Sequence, residues 1–415
     1  MDLTHSPEVE AFRAQVRAFI ADNVPPGWRG LGALDTEEAQ EFVARWRTVL
    51  ARAGYLAPAW PTEYGGAAMD RLRQVVLVEE LVKADLPTCA SNDVFGIKMI
   101  GNLLLRYGTD AQKRHFLPRI INGDDQWCQG FSEPGAGSDL AALRTRAILQ
   151  DGEWVINGQK VWTSQAHQAD WIFLLARTDP EARGHRGITM LLVPLRQAGV
   201  EIRPITMITG ETGFNEVFFT DVRTAAENVV GEVNQGWDVA MRLLGLERGD
   251  EAATNPIMFR AEVDRLIALA RDRGRTADPV VRQHLARCYT RAEIMRHLGN
   301  RVLTSWLNGE ATGTAASVSK LYWSEHHRAV TELAMDLLGP ESMTPTGRRP
   351  LRHYRADDPG APNSTASWST VWLHAISGTI YAGTSEVQRN ILAESALGLP
   401  KDPRPLPISR EQATA

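Results

Sequence analysis

The chain has 415 residues, of which 43% are hydrophobic and 23% charged, with 45 basic against 50 acidic side chains and a formal net charge of −5. That length predicts about two or three domains. The near balance of charge, with basic residues scattered and not blocked, excludes the strong field that gathers nucleic acid or an anionic membrane. Cys89, Cys128 and Cys288 lie far apart, with no Cys/His cluster at metal-ligand spacing, so neither a disulfide framework nor a metal site is expected.

The opening residues, MDLTHSPEVEAFRAQVRAFI, include acidic side chains and no continuous apolar stretch, unlike a secretory or transit signal. No run approaches the ~20 apolar residues that span a bilayer, so a cytoplasmic protein without a membrane span is expected. Phe12, Val16, Phe19 and Ile20 recur at helical spacing, and Pro25-Pro26-Gly27 ends that helix. Further helical patterns fall at 36–53, 71–83, 94–106 and 110–122, with a turn-rich loop at Ala59–Gly66. They predict an N-terminal helical domain over residues 1–125.

Between 126 and 235 the pattern changes to short β-rich runs: 154–156, 161–163, 171–175, 188–193 and 217–219. Asp151-Gly152 and Asn157-Gly158 are strong hairpin signals, and a compact antiparallel sheet domain is expected. Helical patterning returns over 236–398, in segments near 236–248, 254–274, 279–308, 313–338 and 384–396. Within it the adjacent pair His326-His327 follows Glu325, and is expected on a solvated helix face. The Pro-rich tail, 399–415, reads as extended or disordered, and no internal repeat is found.

One loop and one carboxylate stand out. Gly130-Phe131-Ser132-Glu133-Pro134-Gly135-Ala136-Gly137-Ser138-Asp139 has three glycines in ten residues, which let the backbone bend and present N–H groups to a ligand. It matches neither a Walker loop nor a dinucleotide fingerprint, and alone it reads as a structural turn at least as well as a cofactor loop. Trp162 alone reads as a hairpin core residue. Glu247 follows Leu244 by three residues and Leu243 by four, on a helix face that continues back to Val239 and Ala240. A carboxylate on such a face is desolvated, and its pKa rises toward the range of a general base. The neighbouring Arg248 and Gly249-Asp250-Glu251 favour the blander reading, an ion-paired helix end.

Several motifs in order change that balance. GFSEPGAGSD, with PAWPTEYGG at 58–66, YGTDAQKRHFLP at 107–118, KVWTSQAHQADWIFLLARTD at 160–179 and GTIYAGTSEVQRNIL at 378–392, resembles the acyl-CoA dehydrogenase family over essentially the whole chain. The resemblance implies a mainly α fold with a β-domain: an N-terminal helical domain, a middle antiparallel β-domain and a C-terminal four-helix bundle. It implies FAD as cofactor and oxidation of the Cα–Cβ bond of an acyl-CoA thioester. A base takes the α-proton while hydride leaves Cβ for flavin N5, and an electron-transfer flavoprotein receives the electrons. Phe131, Ser132, Gly137, Ser138, Trp162, Thr163, Ser164, Thr384 and Glu386 match flavin-contacting positions. Ser138, Arg248, Tyr381, Ala382 and Gly383 match positions around the substrate.

The sequence also departs from the family pattern. Many members place the catalytic glutamate in Tyr-Glu-Gly-Thr, where this chain has Tyr381-Ala382-Gly383-Thr384. Leu244-Gly245-Leu246-Glu247-Arg248 resembles the second location, used by the isovaleryl- and long-chain-specific branches, and the resemblance assigns Glu247 as the base. Alanine at 382 keeps the backbone N–H that, in the family, binds the thioester oxygen with a ribityl hydroxyl. The freed volume suits a branched, bulky or ring-bearing acyl group. Two segments that reach a neighbouring subunit's FAD, Arg-x-x-Phe-Gly and Gln-x-x-Gly-Gly, read here Arg273-Gly274-Arg275-Thr276-Ala277-Asp278-Pro279 and Asp336-Leu337-Leu338-Gly339-Pro340. The expected assembly is therefore either a homo-oligomer or a heteromer with a homologous chain. A flavin monooxygenase or oxidase on the same fold, and a non-catalytic subunit, are the competing readings.

Overall fold

The computed structural model describes residues 6–31, 34, 36–90, 92–310, 315–343 and 365–401, apart from the side chains of 36, 244–251, 315–316 and 365–367. The first helix, α1 (Pro7–Asn23), starts with proline in its first turn, where the missing N–H has no helical partner to lose. Of the apolar residues at helical spacing, Phe12 and Val16 are buried and Phe19 and Ile20 half-buried, and the chain becomes extended at Val24 ahead of Pro25. The helices α2 (Thr36–Arg52), α3 (Arg71–Lys83) and α5 (Asp110–Asn122) also lie where their patterns place them. The stretch between α3 and α5 differs: Val94–Gly101 is a wider π turn that runs into a short α4 (Asn102–Tyr107). A side chain at Gly101 would run into the ring of Trp60, which is fully buried and hydrogen-bonds Asn102. The buried indole thus dictates glycine at the end of the widened stretch.

Thr109 and Gln112 form a reciprocal capping box at the start of α5, and Gly123 closes it in left-handed conformation with φ 82°. The Gln112 amide also donates to the carbonyls of Glu227 and Val229 at 2.9 and 2.8 Å. One buried side chain therefore caps a helix and ties the N-terminal domain to the segment that leaves the sheet.

The sheet has seven strands: β1 (Trp127–Gly130), β2 (Arg146–Gln150), β3 (Glu153–Ser164), β4 (Trp171–Arg177), β5 (Ile188–Pro194), β6 (Val200–Ile205) and β7 (Phe214–Ala225). Its order is β1-β4-β2-β3-β7-β6, with β5 on the other edge of β4. Most pairings are antiparallel, but β1 lies parallel to β4 and β2 touches β4 in parallel, so the expected antiparallel sheet is in fact mixed. Asp151-Gly152 makes the β2–β3 turn, both residues at positive φ (51° and 83°), as its hairpin signal predicts. The second hairpin expectation is overturned. Asn157-Gly158 lies inside β3 at a bulge, where the Asn157 side chain bonds Asp221 and a Cβ at 158 would press on Thr145. Glycine there serves close packing and not chain reversal.

Alternation along β4 separates two cores. Phe173 and Leu175 face the N-terminal helices in one continuous cluster with Trp60, Phe116, Trp127 and the first turns of α6 at Val239, Ala240 and Leu243. Ile172, Leu174 and Ala176 face the other way, against Trp154, Ile156, Val217 and Phe219.

The C-terminal part comprises α6 (Gly236–Asp272), α7 (Pro279–Leu307), α8 (Ala315–Leu338), α9 (Thr365–Ala375) and the short α10 (Ser385–Ile391). The first four pack as a bundle around Phe259, Leu266, Leu285, Met295, Val330, Leu333 and Trp368. The two expected helices at 236–248 and 254–274 are one helix of 37 residues that continues through Pro256. Proline removes the bond to the carbonyl of Ala252, and that carbonyl faces Gly299 of α7, where a Cβ would sit 2.7 Å from it. Packing of α7 against the weakened turn thus keeps the helix unbroken. Helix α9 was not expected from the sequence pattern.

His326 and His327 are 0% and 1% exposed, which corrects the expected solvated face. They lie on the stripe of α8 that also carries Trp323, Val330 and Ala334, all buried in the bundle. His327 Nδ1 meets Glu262 at 3.1 Å, and His326 stands edge-on to Phe259. Burial, with Arg291 and His327 nearby, pushes the His326 imidazole down to about 3, so it is neutral at physiological pH.

Candidate functional site

The glycine-rich loop leaves β1 at Gly130 and is pinned from beneath by a buried ion pair. Lys160 of β3, 0% exposed, donates to the Glu133 carboxylate at 2.8 Å and to the Phe131 carbonyl at 3.0 Å. Glu133 also accepts the N–H groups of Arg144 and Thr145 at 2.7 and 2.9 Å. Burial alone would raise the Glu133 carboxyl, but the Lys160 ammonium and those N–H donors outweigh it and hold it below its ordinary value. Burial likewise pushes Lys160 down to about 8, against the opposing pull of Glu133.

Above this pair, Phe131 is buried edge-on to Phe173, while the Ser132 carbonyl accepts the Val161 N–H at 2.9 Å. Gly137 and Ser138 are exposed at the loop's tip. The register of β3 against β7 slips between Lys160 and Thr163, and Trp162 takes positive φ, 60°. This bulge turns the indole outward: Trp162 is 60% exposed and touches Phe214 edge-on, which overturns its reading as a hairpin core residue. The next residue, Thr163, is buried, with a hydroxyl that has no partner among the described residues. Its carbonyl accepts from the buried Asn215, and Ser164 ends the strand. Phe131, Ser132, Trp162, Thr163 and Ser164 are therefore brought together as one group.

A second group forms at the C-terminal turn between α9 and α10. Ala382 and Gly383 both have positive φ, 52° and 91°, and Thr384 caps α10 by accepting the Val387 N–H. Tyr381 lies at 6.3 Å from the ring of Trp323. The Glu386 N–H and the Thr384 hydroxyl hold the exposed Glu386 carboxyl below its ordinary value. Thr384 and Glu386 line a cleft of about 480 Å³ shared with Glu325, Arg328 and Arg389.

The loop between β6 and β7 links the groups. Its Gly213 carbonyl accepts the Gln165 N–H beside the bulge, and its Glu211 carboxylate lies 3.8 Å from Nε2 of His374, on α9 just before the turn. Glu247 and Arg248 belong to α6, one turn beyond the fully buried Leu243, and their side chains lie outside the described residues. Sequence reasoning passed over Glu133 and Lys160, although both stand inside the quoted motifs. A Lys running directly into the β-formers Val161 and Trp162, with a Glu in the adjoining loop, was the available signal. His374 and Glu211 carried no such signal, because only the tertiary fold brings them together.

Three domain models cover nearly the whole chain: acyl-CoA dehydrogenase N-terminal domain at residues 6–124, middle domain at 128–222 and C-terminal domain at 234–397. The chain is a member of the acyl-CoA dehydrogenase family. It is thus an oxidoreductase acting on acyl-CoA, in a family whose members are FAD-dependent flavoproteins. It is 43% identical to acyl-CoA dehydrogenase IpdE1 of Mycobacterium tuberculosis, over 95% of this chain and 99% of that one. Acyl-CoA dehydrogenase FadE26 of the same organism is 33% identical, over 97% and 99%. Among solved structures, the Tcur3481-Tcur3483 steroid ACAD superposes with TM-score 0.78 at 34% identity, over 97% of this chain and 100% of that one. The ChsE4-ChsE5 complex from Mycobacterium tuberculosis matches with TM-score 0.76 at 30% identity, over 97% and 100%.

The sheet-side group fits the ring end of the family's FAD. An outward indole on a left-handed residue and a buried hydroxyl without a partner each cost free energy that nothing else in the described chain offsets. A planar ring under Trp162, with a polar atom at Thr163, would use both. The segments at 273–279 and 336–340, which depart from the family's sequence pattern, are engaged within this chain. Arg273 is forked onto Glu341 of its own chain at 2.6 Å through both terminal nitrogens, and Asp278 caps α7 by accepting from Val280 and Val281. Gly339-Pro340 opens a 3₁₀ turn after Asp336. Arg273 and Arg275 are thus neutralised by Glu341 and Asp278 of their own chain, and Pro340 has no N–H to offer a pyrophosphate. Among the described residues no helix is long and apolar enough to cross a membrane, and no group of three or more His, Cys, Asp or Glu is placed to hold a metal ion.

Proposed function

We propose that this chain catalyses α,β-dehydrogenation of an acyl-CoA thioester to the 2-enoyl-CoA, with Glu247 as the base that takes the α-proton. The observation that carries this reading is the C-terminal turn. It has left-handed backbone at Ala382 and Gly383 and an Ala382 N–H with no acceptor among the described residues, as a donor to a thioester needs, and it carries alanine where many family members have the glutamate. Position 247, one helical turn past a buried leucine where α6 leaves the N-terminal core and the sheet, is the carboxylate that the motif supplies instead.

The steps assigned to this chain follow from those positions. Ser138 and the loop tip receive the CoA side, and Tyr381, Ala382 and Gly383 border the acyl group. The Ala382 N–H donates to the thioester oxygen as enolate character develops, while Glu247 accepts the proton from Cα, with Arg248 beside it. A preorganised donor of this kind contributes about 3–4 kcal/mol to such steps. Phe131, Ser132, Gly137, Trp162, Thr163 and Ser164, with Thr384 and Glu386, hold the cofactor. FAD, when bound, supplies the two-electron acceptor for the hydride that leaves Cβ. An electron-transfer flavoprotein is the proposed recipient of those electrons.

Alanine at 382 leaves room for a bulky or ring-bearing acyl group, and a solved relative named as a steroid ACAD supports that substrate class. The Arg273–Glu341 fork favours assembly with a homologous second chain over a homo-oligomer, and the relative solved as a ChsE4-ChsE5 complex supports it. The deciding test is the visible spectrum of the protein during anaerobic addition of butyryl-, isovaleryl-, palmitoyl-, cyclohexanecarbonyl- and steroid-acyl-CoA. Bleaching of bound flavin by the ring-bearing thioesters, abolished in Glu247→Gln with flavin content unchanged, is the expected result. A Glu247→Gln protein that still bleaches would remove Glu247 from the reaction. Rapid reoxidation of the reduced protein by oxygen would move the assignment to an oxidase or monooxygenase.

A further inference from the structure

The turn that bears Ala382 is held by two buried side chains to which the dehydrogenase reading gives no role. Lys320 of α8, 3% exposed, donates to the carbonyls of Gly383 at 2.6 Å and Gly378 at 3.0 Å. Gln388 of α10, 0% exposed, donates from Nε2 to the Ala382 carbonyl at 3.0 Å. The fit leaves no slack, since a Cβ at Gly383 would collide with the Gln388 amide. Three carbonyls of a six-residue loop are thus captured from the protein side. Burying an ammonium costs several kcal/mol unless its donors are used, so its placement beneath this loop constrains the loop strongly.

Orientation follows from the trans peptide, in which N–H and C=O point in opposite directions. Drawing the Ala382 carbonyl toward Gln388 sends the Gly383 N–H the other way, and drawing the Gly383 carbonyl toward Lys320 does the same for the Thr384 N–H. Left-handed φ at both Ala382 and Gly383 is sustained only while those carbonyls are held, because alanine does not favour it unaided. The Ala382 and Gly383 N–H groups have no acceptor among the described residues, unlike the Ile380 and Tyr381 N–H groups, which both bond the Ser377 carbonyl.

We propose that Lys320 and Gln388 are positioning residues for the thioester. By fixing the carbonyls of residues 378, 382 and 383, they hold the backbone on both sides of the Tyr381–Ala382 peptide, whose N-terminal flank is also tied by the Tyr381 N–H to Ser377, and so preset the Ala382 N–H as an oxyanion-type donor. The base has moved to another helix in this chain, so its side chain does not fix the turn, and Lys320 and Gln388 are what hold it. This rests on the dehydrogenase reading, and predicts a transition-state effect larger than any effect on binding.

The test uses the flavin-loaded protein, with its partner chain wherever one is needed for flavin. Lys320→Met is expected to lower kcat about 10–100-fold with KM changed less than about 3-fold. Lys320→Arg, which keeps the donors, should recover most of that loss. Gln388→Met, of similar volume without the donor, should lower kcat about 3–10-fold. A second readout is the infrared carbonyl stretch of bound cyclohexenecarbonyl-CoA labelled with ¹³C at the thioester carbon. Binding to wild type should lower its frequency, and both Met variants should return it toward the value in water. Wild-type kcat together with a wild-type carbonyl shift in Gln388→Met would overturn the proposal, even if Lys320→Met fails to fold. A wild-type protein that neither bleaches with any acyl-CoA nor shifts the carbonyl would overturn this proposal and the dehydrogenase reading together. Bleaching that is indifferent to both Met variants would overturn this one alone.

Discussion

The two halves of the candidate site hold strained backbone in different ways. On the sheet side, a Lys160–Glu133 ion pair lies beneath the glycine-rich loop and the Trp162 bulge, with both charges matched inside the protein. On the bundle side, Lys320 and the Gln388 amide hold the 378–383 turn through main-chain carbonyls, which do not titrate, with the carboxylate of Glu386 near Lys320 but exposed. A carboxylate partner makes the first arrangement strong but sensitive to acid. Carbonyl partners make the second specific for backbone direction, which suits a turn proposed to bind the thioester through its N–H groups.

Lys160→Met separates the two arrangements most sharply. It leaves Glu133 buried with two N–H donors but no cation, and should cost about 3–5 kcal/mol in urea unfolding. The same pair sets an acid response. The Glu133 carboxyl is held below its ordinary value in the folded protein, so its contribution is fully present above its unfolded pKa and is lost as pH falls through the folded one. Below about pH 4.3, the usual glutamate value, the loop side should loosen before the turn side. Amide hydrogen exchange of residues 131–139 against 378–384 would show the order, and simultaneous loosening would break the distinction.

A smaller effect is expected from Ala382→Gly. Glycine adopts φ 52° without the penalty of about 1 kcal/mol that alanine pays there, so stability should rise by up to that amount in chemical unfolding. Activity should not rise with it, because the side-chain clamps already fix the turn. The smallest effect on stability is expected from Trp162→Ala. An indole that is 60% exposed contributes little to the core, and unfolding should change by about 0.5 kcal/mol or less. Flavin retained through gel filtration should nevertheless fall clearly. A large loss of stability in this variant would mean that Trp162 belongs to the core after all.

The sequence by itself determined the order of helices, sheet and helices, because the apolar period switches from helical to alternating and back. It also marked the GFSEPGAGSD loop, Trp162, Thr163 and the missing carboxylate at 382, all through local motifs. Local signals failed where neighbours decide. Pro256 does not end α6 because α7 packs against it through Gly299, and Asn157-Gly158 is no hairpin because β7 and Thr145 close on it. His326 and His327 are polar by type, yet the bundle buries them beside Glu262 and Phe259. The partnership of Lys160 with Glu133, and of Lys320 and Gln388 with the C-terminal turn, needed tertiary structure for the same reason. A buried charge or amide is defined by the partner that reaches it through space, and sequence periodicity records which face is apolar without saying which polar groups meet across it.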